Sequence, residues 1–331
     1  MRILVTGGAG FIGSHYVRTL LGPDSPDPHA EVTVLDALTY AGRRDNLPAA
    51  APGFSFVQGD VCDGPLVDEL AAHHDHIVHF AAESHVDRSI ADPAAFIRTN
   101  VLGTQTLLDA ALRHGRRVVL VSTDEVYGSI DRGAWTEDAP LAPRSPYSAS
   151  KASADLLALA QHRTHGLDVR ITRSSNTYGT HQYPEKIIPL FVARLLRGER
   201  VPLYGDGRNV RDWLHVDDHV AGVDLVRREG RAGEVYHIAG GTELSNRELT
   251  GRLLALLGAG WDRVAYVADR PGHDLRYALD DRKIRALGHR TLREFTEGLK
   301  ETVEWYVRHP QWWAGAVSGP PTDAGTPLTS R

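Results

Sequence analysis

Cysteine is nearly absent, with Cys62 the one example in 331 residues. A lone thiol excludes an internal disulfide and fits a reducing cytosol. Long apolar runs are missing too, since none approaches the roughly 20 residues needed to span a bilayer. The opening MRILVTGG enters a strand at once, which leaves no room for a signal peptide and makes a cytoplasmic location the expectation. Positive charge is not in excess. A net charge of −5 provides no global basic field, which disfavours nucleic-acid binding through bulk electrostatics. Lysine is scarce: only Lys151, Lys186, Lys283 and Lys300 among 37 basic residues. A chain this rich in Arg, Ala and Gly suggests a high-GC genome. Lysine that persists against that drift marks positions where a compact, tunable amine is needed.

What is present is an ordinary globular composition, 42% apolar and 24% charged, in a chain long enough for a large domain and a smaller one. Apolar runs at Ile3–Thr6, Val32–Asp36, Ser55–Gln58, Ile77–Phe80, Val118–Ser122 and Val169–Arg173 alternate with helical patterns at Ile12–Leu21, Asn100–Arg113 and Tyr147–His165. Such alternation predicts right-handed βαβ units in an α/β, Rossmann-type doubly wound parallel sheet. Residues 1–180 form this unit, with segments such as 210–240, including the strand Val235–Ile238, returning to it. Residues 181–313, with helices near Asn246–Leu257 and Leu292–Arg308, form mainly a smaller α/β substrate-binding domain. Residues 314–331, small, polar and rich in Pro and Gly, read as a flexible tail.

ILVTGGAGFIGSH places Gly7, Gly10 and Gly13 at the first strand-to-helix junction. Glycines there allow a tight turn and let the backbone approach a pyrophosphate seated on the helix N-terminus. Asp36 ends the second strand, where an acid accepts hydrogen bonds from a ribose diol and repels a 2′-phosphate. NAD is therefore favoured over NADP, with Arg43 and Arg44 nearby as the competing signal. Asp60 ends the third strand and is placed to reach the adenine edge.

SPYSASK sets Tyr147 and Lys151 four apart, on one face of a helix. The ammonium can then lower the phenol pKa toward a general-base range and hold a ribose hydroxyl. Thr123, at the end of the strand in VVLVSTDEVYG, can hydrogen-bond the same oxygen. Oxidation of an alcohol is the reading that joins these features. Asp124 and Glu125 follow directly, two carboxylates after a strand hydrophobic enough to be buried.

The motifs VTGGAGFIGSH, DALTYAG, HFAAESHVDRSI, VSTDEVYG, YSASK, NTYG, PEKIIPL, GDGRNVRDWLHVDDH and DRPGHDLRY together resemble the dTDP-glucose 4,6-dehydratase family of extended short-chain dehydrogenase/reductases. They run from residue 3 to about 277. TDEVYG is the discriminating one: related epimerases usually carry small residues in place of the acids, and decarboxylases and GDP-mannose dehydratase tend to a TSE form.

The resemblance implies a hydro-lyase. Tyr147 takes the C4 hydroxyl proton while the C4 hydride goes to NAD. The 4-ketone acidifies C5, Glu125 removes the C5 proton, Asp124 protonates the departing C6 hydroxyl, and the hydride returns to C6. The product is dTDP-4-keto-6-deoxyglucose, for deoxysugar biosynthesis. As a donor near neutrality, Asp124 needs a raised pKa, from burial and its acidic neighbour. The catalytic set implied is Thr123, Asp124, Glu125, Tyr147 and Lys151. The cofactor set is Gly7, Gly10, Phe11, Ile12, Gly13, Asp36, Ala37, Leu38, Thr39, Asp60, Val61, Phe80, Ala81, Ala82, Ser84, Thr99, Tyr147, Lys151 and Thr177. The substrate set is Ser84 and Thr123 at the hexose, then Asn176, Lys186, Ile187 and Arg211 toward the diphosphate. Asn246, Asp269, Arg270, Pro271, Gly272 and His273 line the nucleotide end, and Pro202, Leu203, Tyr204 and Tyr277 complete the set. The family's helix pair, Asn100–Arg113 with Tyr147–His165, implies a homodimer through a four-helix contact.

Three departures stand out: Thr177 where a second asparagine is common, Thr180 where proline usually follows YG, and Arg43 where asparagine is common. HHDHIVHF is not read as a metal site, because His76 and His79 lie three apart on a strand and point to opposite faces. EWYVRHPQWW is read as a terminal helix packed on the core. An epimerase or decarboxylase on the same scaffold, or an NAD-sensing protein without catalysis, are the competing functions. The paired acids Asp124 and Glu125 oppose the first, and the intact set of Thr123, Asp124, Glu125, Tyr147 and Lys151 opposes the second. Thymine versus uracil in the nucleotide stays open.

Overall fold

The computed structural model describes residues 1–316. Its strands are β1 (Arg2–Thr6), β2 (Glu31–Asp36), β3 (Phe54–Gln58), β4 (His76–His79), β5 (Arg117–Thr123), β6 (Val169–Ser174), β7 (Asn176–Tyr178), β8 (Val201–Tyr204), β9 (Val210–His215), β10 (Val235–Ile238), β11 (Glu243–Ser245) and β12 (Val264–Val267). Seven of them form one all-parallel sheet in the order β10-β6-β5-β4-β1-β2-β3. The chain builds outward from β1 through β2 to β3, then crosses to the other side of β1 to lay down β4 and β5. A crevice opens beyond the carboxyl ends of the strands at such a reversal.

Alternate residues of a strand face opposite sides of the sheet, and helices cover both sides. Ile3 and Val5 pack with Tyr16, Val17 and Leu20 of the helix Phe11–Leu21 and with Val220 and Val223 of the helix Val216–Glu229. Leu4 packs on the other side with Val67, Leu107, Leu108, Ala154 and Ala158, from the helices Gly64–His73, Thr104–His114 and Pro146–His165. Each fully buried Val, Leu or Ile among them contributes about 1.5–3 kcal/mol. Apolar side chains on both faces explain why these strands read as unbroken hydrophobic runs.

A second core gathers Ile188, Phe191, Leu203, Leu249, Leu299 and Tyr306. Around it lie the three-stranded sheet β11-β9-β7, the pair β12-β8, and the helices Ile187–Leu196, Asn246–Leu256 and Phe295–Arg308. Between the two strand sets, β10 returns to pair with β6 in the large sheet.

Local side-chain bonds move some boundaries. The helix expected over Asn100–Arg113 begins as a π-helical stretch, Ile97–Gly103, before Thr104–His114. Asn100 is 1% exposed there and clamps the Glu83 backbone, accepting from its N–H at 2.8 Å and donating to its carbonyl at 3.0 Å. A π-turn next to a functional loop is a recurrent device for re-aiming residues. The helix expected from Leu292 starts at Phe295, because the N–H groups of Leu292 and Arg293 donate to the Asp218 carboxylate at 2.9 and 3.0 Å. Of the segment expected to be a tail, Ala314–Ala316 form a 3-10 turn, and residues 317–331 lie outside the described residues. No described helix is long and apolar enough to cross a membrane.

Candidate active site

The glycine loop joins β1 to the first helix under close constraint. Gly7 has φ +70°, and a Cβ on it would meet Ala81 N at 2.5 Å; one on Gly13 would meet the Gly7 carbonyl at 2.3 Å. Only glycine allows these approaches. Asp36, at the end of β2, accepts hydrogen bonds from the N–H groups of Ala9 at 2.9 Å and Leu38 at 2.8 Å. Burial raises its pKa, and those two donors oppose the rise. The same carboxylate thus holds the loop and faces the cavity.

That cavity, about 330 Å³, runs along the carboxyl edge of the sheet. Of the expected cofactor residues, Gly7, Gly10, Phe11, Ile12, Gly13, Asp36, Ala37, Thr39, Asp60, Val61, Phe80, Ala81, Ala82, Ser84, Thr99, Tyr147, Lys151 and Thr177 all line it. Thr123, Asp124, Glu125, Asn176 and Lys186 line its other end. Leu38 does not. With φ +50° it turns its N–H to Asp36 while its side chain packs against the core. Asp60 is engaged on both oxygens, with the Cys62 N–H at 2.9 Å and Arg98 at 2.8 Å. Buried polar atoms without a protein partner include Ser122 Oγ, Asp124 Oδ2, Asn176 Oδ1 and His219 Nε2, all on cavity-lining residues. Glycines that admit backbone approach, an acid at the second strand end and unpaired buried polar atoms fit a dinucleotide and a polar substrate.

The helix that carries Tyr147 and Lys151 is fixed at its start. Ser145 and Ser148 form a reciprocal capping box with Pro146 in the first turn, so Pro146–His165 begins one residue before Tyr147. Tyr147 and Lys151 then share its inner face, 9% and 5% exposed. The Lys151 ammonium donates to the Val121 carbonyl at 2.7 Å, and burial lowers its pKa to about 8, opposed by Asp155. Asp155 is itself buried and paired with Arg173 at 2.8 Å.

One expectation needs correcting. Tyr147 is not drawn down by Lys151; burial and the nearby charge of Glu125 push it up, and only the hydrogen bond from Thr123 works the other way. Thr123 also caps the turn Asp124–Tyr127 by accepting the Glu125 N–H at 3.3 Å. That turn holds the two acids at the strand end. Burial and the Glu125 charge push Asp124 well above the ordinary carboxylate range, which suits a proton donor. Burial also raises Glu125, opposed by Arg270, Lys186 and Arg211.

These three cations come from distant segments. Lys186 donates to the Ser84 carbonyl at 2.7 Å. Arg211 lies 4.3 Å over the Tyr277 ring and donates to the Asp274 carbonyl at 3.0 Å. Arg270 sits 3.6 Å from Asp87, which also accepts from the Tyr204 hydroxyl at 3.1 Å; His273 and Asp269 are 2.6 Å apart beside them. Pro271 and Gly272 complete this turn, with Gly272 at φ +69°. Pro202 pairs in β8 with Ala265, Ile187 packs against the second core, and Asn246 begins its helix. The Leu203 side chain, 1% exposed, is part of the second core.

Sequence reasoning missed several cavity residues. Gly42 lines the wall beside Asp36, and a Cβ on it would come within 2.7 Å of Asp36 Oδ1. TYAGR held the signal. His219 is buried with Nδ1 2.9 Å from the Thr177 hydroxyl, so the threonine that departs from the family pattern has a partner. Glu185 accepts from Tyr40 at 2.9 Å and from Arg88 at 3.2 Å, closing the cavity from the side. Among the described residues no group of three or more His, Cys, Asp or Glu side chains could hold a metal.

A parallel sheet with a glycine loop at its first junction and a Tyr–Lys helix across the crevice places the chain among the extended short-chain dehydrogenase/reductases. Within that class, the family model for GDP-mannose 4,6 dehydratase matches residues 4–302. The dTDP-glucose 4,6-dehydratase of Streptomyces antibioticus is 62% identical, over 100% of this chain and 99% of that protein. The crystal structure of DesIV, the dTDP-glucose 4,6-dehydratase of Streptomyces venezuelae with NAD and dTDP bound, is 61% identical. It covers 96% of this chain and 100% of its own, with a TM-score of 0.94. A UDP-glucose 4-epimerase from Thermus thermophilus in complex with NAD shares the fold at 33% identity and TM-score 0.85, covering 93% of this chain and 99% of its own. The chain therefore belongs to the broad family of that model and, inside it, to the dTDP-glucose 4,6-dehydratases.

Proposed function

We propose that this protein catalyses the NAD-dependent dehydration of dTDP-glucose to dTDP-4-keto-6-deoxyglucose. The observation that carries the reading is the pair of buried Asp124 and half-buried Glu125 at the end of β5, lining one cavity with Tyr147 and Lys151. Gly7, Gly10, Gly13 and Asp36 hold the adenosine half of NAD, and Tyr147, Lys151 and Thr177 the nicotinamide half. Bound NAD supplies the hydride acceptor and donor.

Tyr147 accepts the C4 hydroxyl proton, positioned by the Thr123 hydroxyl. Lys151 holds a ribose hydroxyl. Glu125 removes the C5 proton, which the neighbouring ketone has made acidic. Asp124, kept protonated by burial, donates to the leaving C6 hydroxyl. Lys186 and Arg211 neutralise the diphosphate, with the planar guanidinium suited to two-pronged contact. Asn176 and Ser84 orient the hexose. Tyr204, Asn246 and the turn Asp269–His273 face the nucleotide. Residues 1–180 with 210–240 serve the cofactor and 181–313 mainly the substrate, and the protein acts in the cytoplasm in deoxysugar biosynthesis.

The helices Ile97–Gly103 with Thr104–His114, and Pro146–His165, form the homodimer contact. Ile97, Leu102 and Leu156 support this reading, exposed by 59%, 53% and 57% on those helices. Leu156→Asp should shift the mass in sedimentation to that of a monomer, and an unchanged mass would oppose the contact.

Incubation with dTDP-glucose should yield a 4-keto-6-deoxy sugar with no net consumption of NAD. An epimerised sugar, or bound NAD without product, would overturn the proposal. Parallel kinetics with UDP-glucose decide the base.

A further inference from the structure

Trp312 belongs to the aromatic run EWYVRHPQWW, which packs on the second core as expected, and it also reaches the segment beside the glycine loop. Its ring lies 5.3 Å from Trp305, 5.8 Å from His181 and 6.1 Å from Tyr306, centroid to centroid. The indole N–H donates to Asn46 Oδ1 at 3.2 Å. Asn46, 3% exposed, in turn donates to the Ala9 carbonyl at 2.9 Å, inside the glycine loop. The backbone N–H of Arg43 donates to the same carbonyl at 3.0 Å. The Arg43 guanidinium then turns to the tryptophan: it donates to the Trp312 carbonyl and lies 4.8 Å from the Trp312 ring centroid.

Arg43 follows Gly42, which lines the cavity beside Asp36. An arginine at this end of a dinucleotide site is the usual partner of a 2′-phosphate, whereas an acid selects the free diol. This chain carries both, seven residues apart. Arg44, the second cation nearby, is also turned away, donating to the Pro48 carbonyl at 2.9 Å with its guanidinium near Phe54 and Phe56. Only Asp36 is left to face the ribose.

We propose that Trp312 is a specificity-determining residue for the cofactor, holding Arg43 away from the adenosine ribose so that the site selects NAD against NADP. The proposal rests on the NAD reading above. Trp312 acts through Arg43 and Asn46, as a positioning residue.

The test titrates the full chain with NAD and with NADP, following bound dinucleotide by calorimetry, for wild type, Trp312→Leu, Arg43→Asn and the double variant. Leucine keeps apolar bulk and removes the ring face and the indole donor. Weakening of Asn46 affects both dinucleotides alike, so the ratio of their dissociation constants isolates Arg43. Loss of a cation–π contact of this kind should move that ratio roughly five-fold toward NADP in Trp312→Leu. Arg43→Asn alone should leave it at or above the wild-type value, and the double variant should return it there. A ratio unchanged in Trp312→Leu, or one that moves equally in the double variant, overturns the proposal. If Trp312→Leu does not fold, Trp312→Phe, which keeps a ring for Arg43 but no donor for Asn46, should weaken both dinucleotides without moving the ratio. A moved ratio there counts against it. Wild type that binds NADP as well as NAD refutes the selectivity itself, and wild type that binds neither refutes the cofactor reading.

Discussion

Replacing Lys151 with methionine should make the protein more stable at pH 7 while abolishing turnover. Lys151 is 5% exposed, and burial draws its pKa from 10.5 to about 8. Keeping the amine charged in the folded state therefore costs about 3 kcal/mol. Methionine removes that cost but forfeits the hydrogen bond from Nζ to the Val121 carbonyl, 2.7 Å long and worth about 1.5–3 kcal/mol for a charged donor. The expected net gain is about 1 kcal/mol at neutral pH. Its pH dependence is the sharper signature. Between pH 8 and 10.5 the unfolded chain binds the lysine proton more fully than the folded one, so wild-type stability rises with pH across that window. Below pH 8 both states are protonated and the whole cost is felt. The advantage of Lys151→Met should thus be largest below pH 8 and shrink, then reverse, by pH 10.5. Urea unfolding of both proteins at pH 7 and pH 10 measures it, since groups common to both cancel in the difference. A variant less stable than wild type at pH 7, or a difference independent of pH, would refute the claim that Lys151 is a strained charge. Such a charge, kept at a cost to the fold, is what a tunable catalytic amine requires.

Glu125→Gln should retain hydride removal from C4, seen as a transient 340 nm absorbance, and lose elimination of water. Solvent deuterium at C5 of the product at the wild-type rate would sink the assignment of Glu125 as base. Gly13→Ala places a Cβ within 2.3 Å of the Gly7 carbonyl, a backbone atom that cannot yield cheaply. Its NAD affinity should fall by about tenfold or more, equal to about 1.4 kcal/mol, in direct titration. Unaltered affinity would mean that the loop does not approach the pyrophosphate.

Much of the site was legible along the chain because its determinants are local. The glycine loop, the capped YxxxK helix and the acids after β5 each depend on neighbours within one turn or one strand. The helix start near Leu292 and the π-helical turn at Ile97–Gly103 were not legible, because their backbone geometry answers to Asp218 and Glu83, which lie outside those stretches.

What the sequence alone determined, then, is the doubly wound sheet and the chemical groups brought to its carboxyl edge. Hydrophobic periodicity, helix caps and glycine positions are short-range physics, and they read out directly. The tertiary structure decided the state of those groups. Asp124 is pushed up by enclosure together with Glu125, Tyr147 rises where the helix spacing had suggested a fall, and Glu125 is balanced by cations at 186, 211 and 270. It also decided that Arg43 faces Trp312 and not Asp36. Burial and electrostatic fields sum over everything within several ångströms, whatever its position in the chain, so no local pattern contains them.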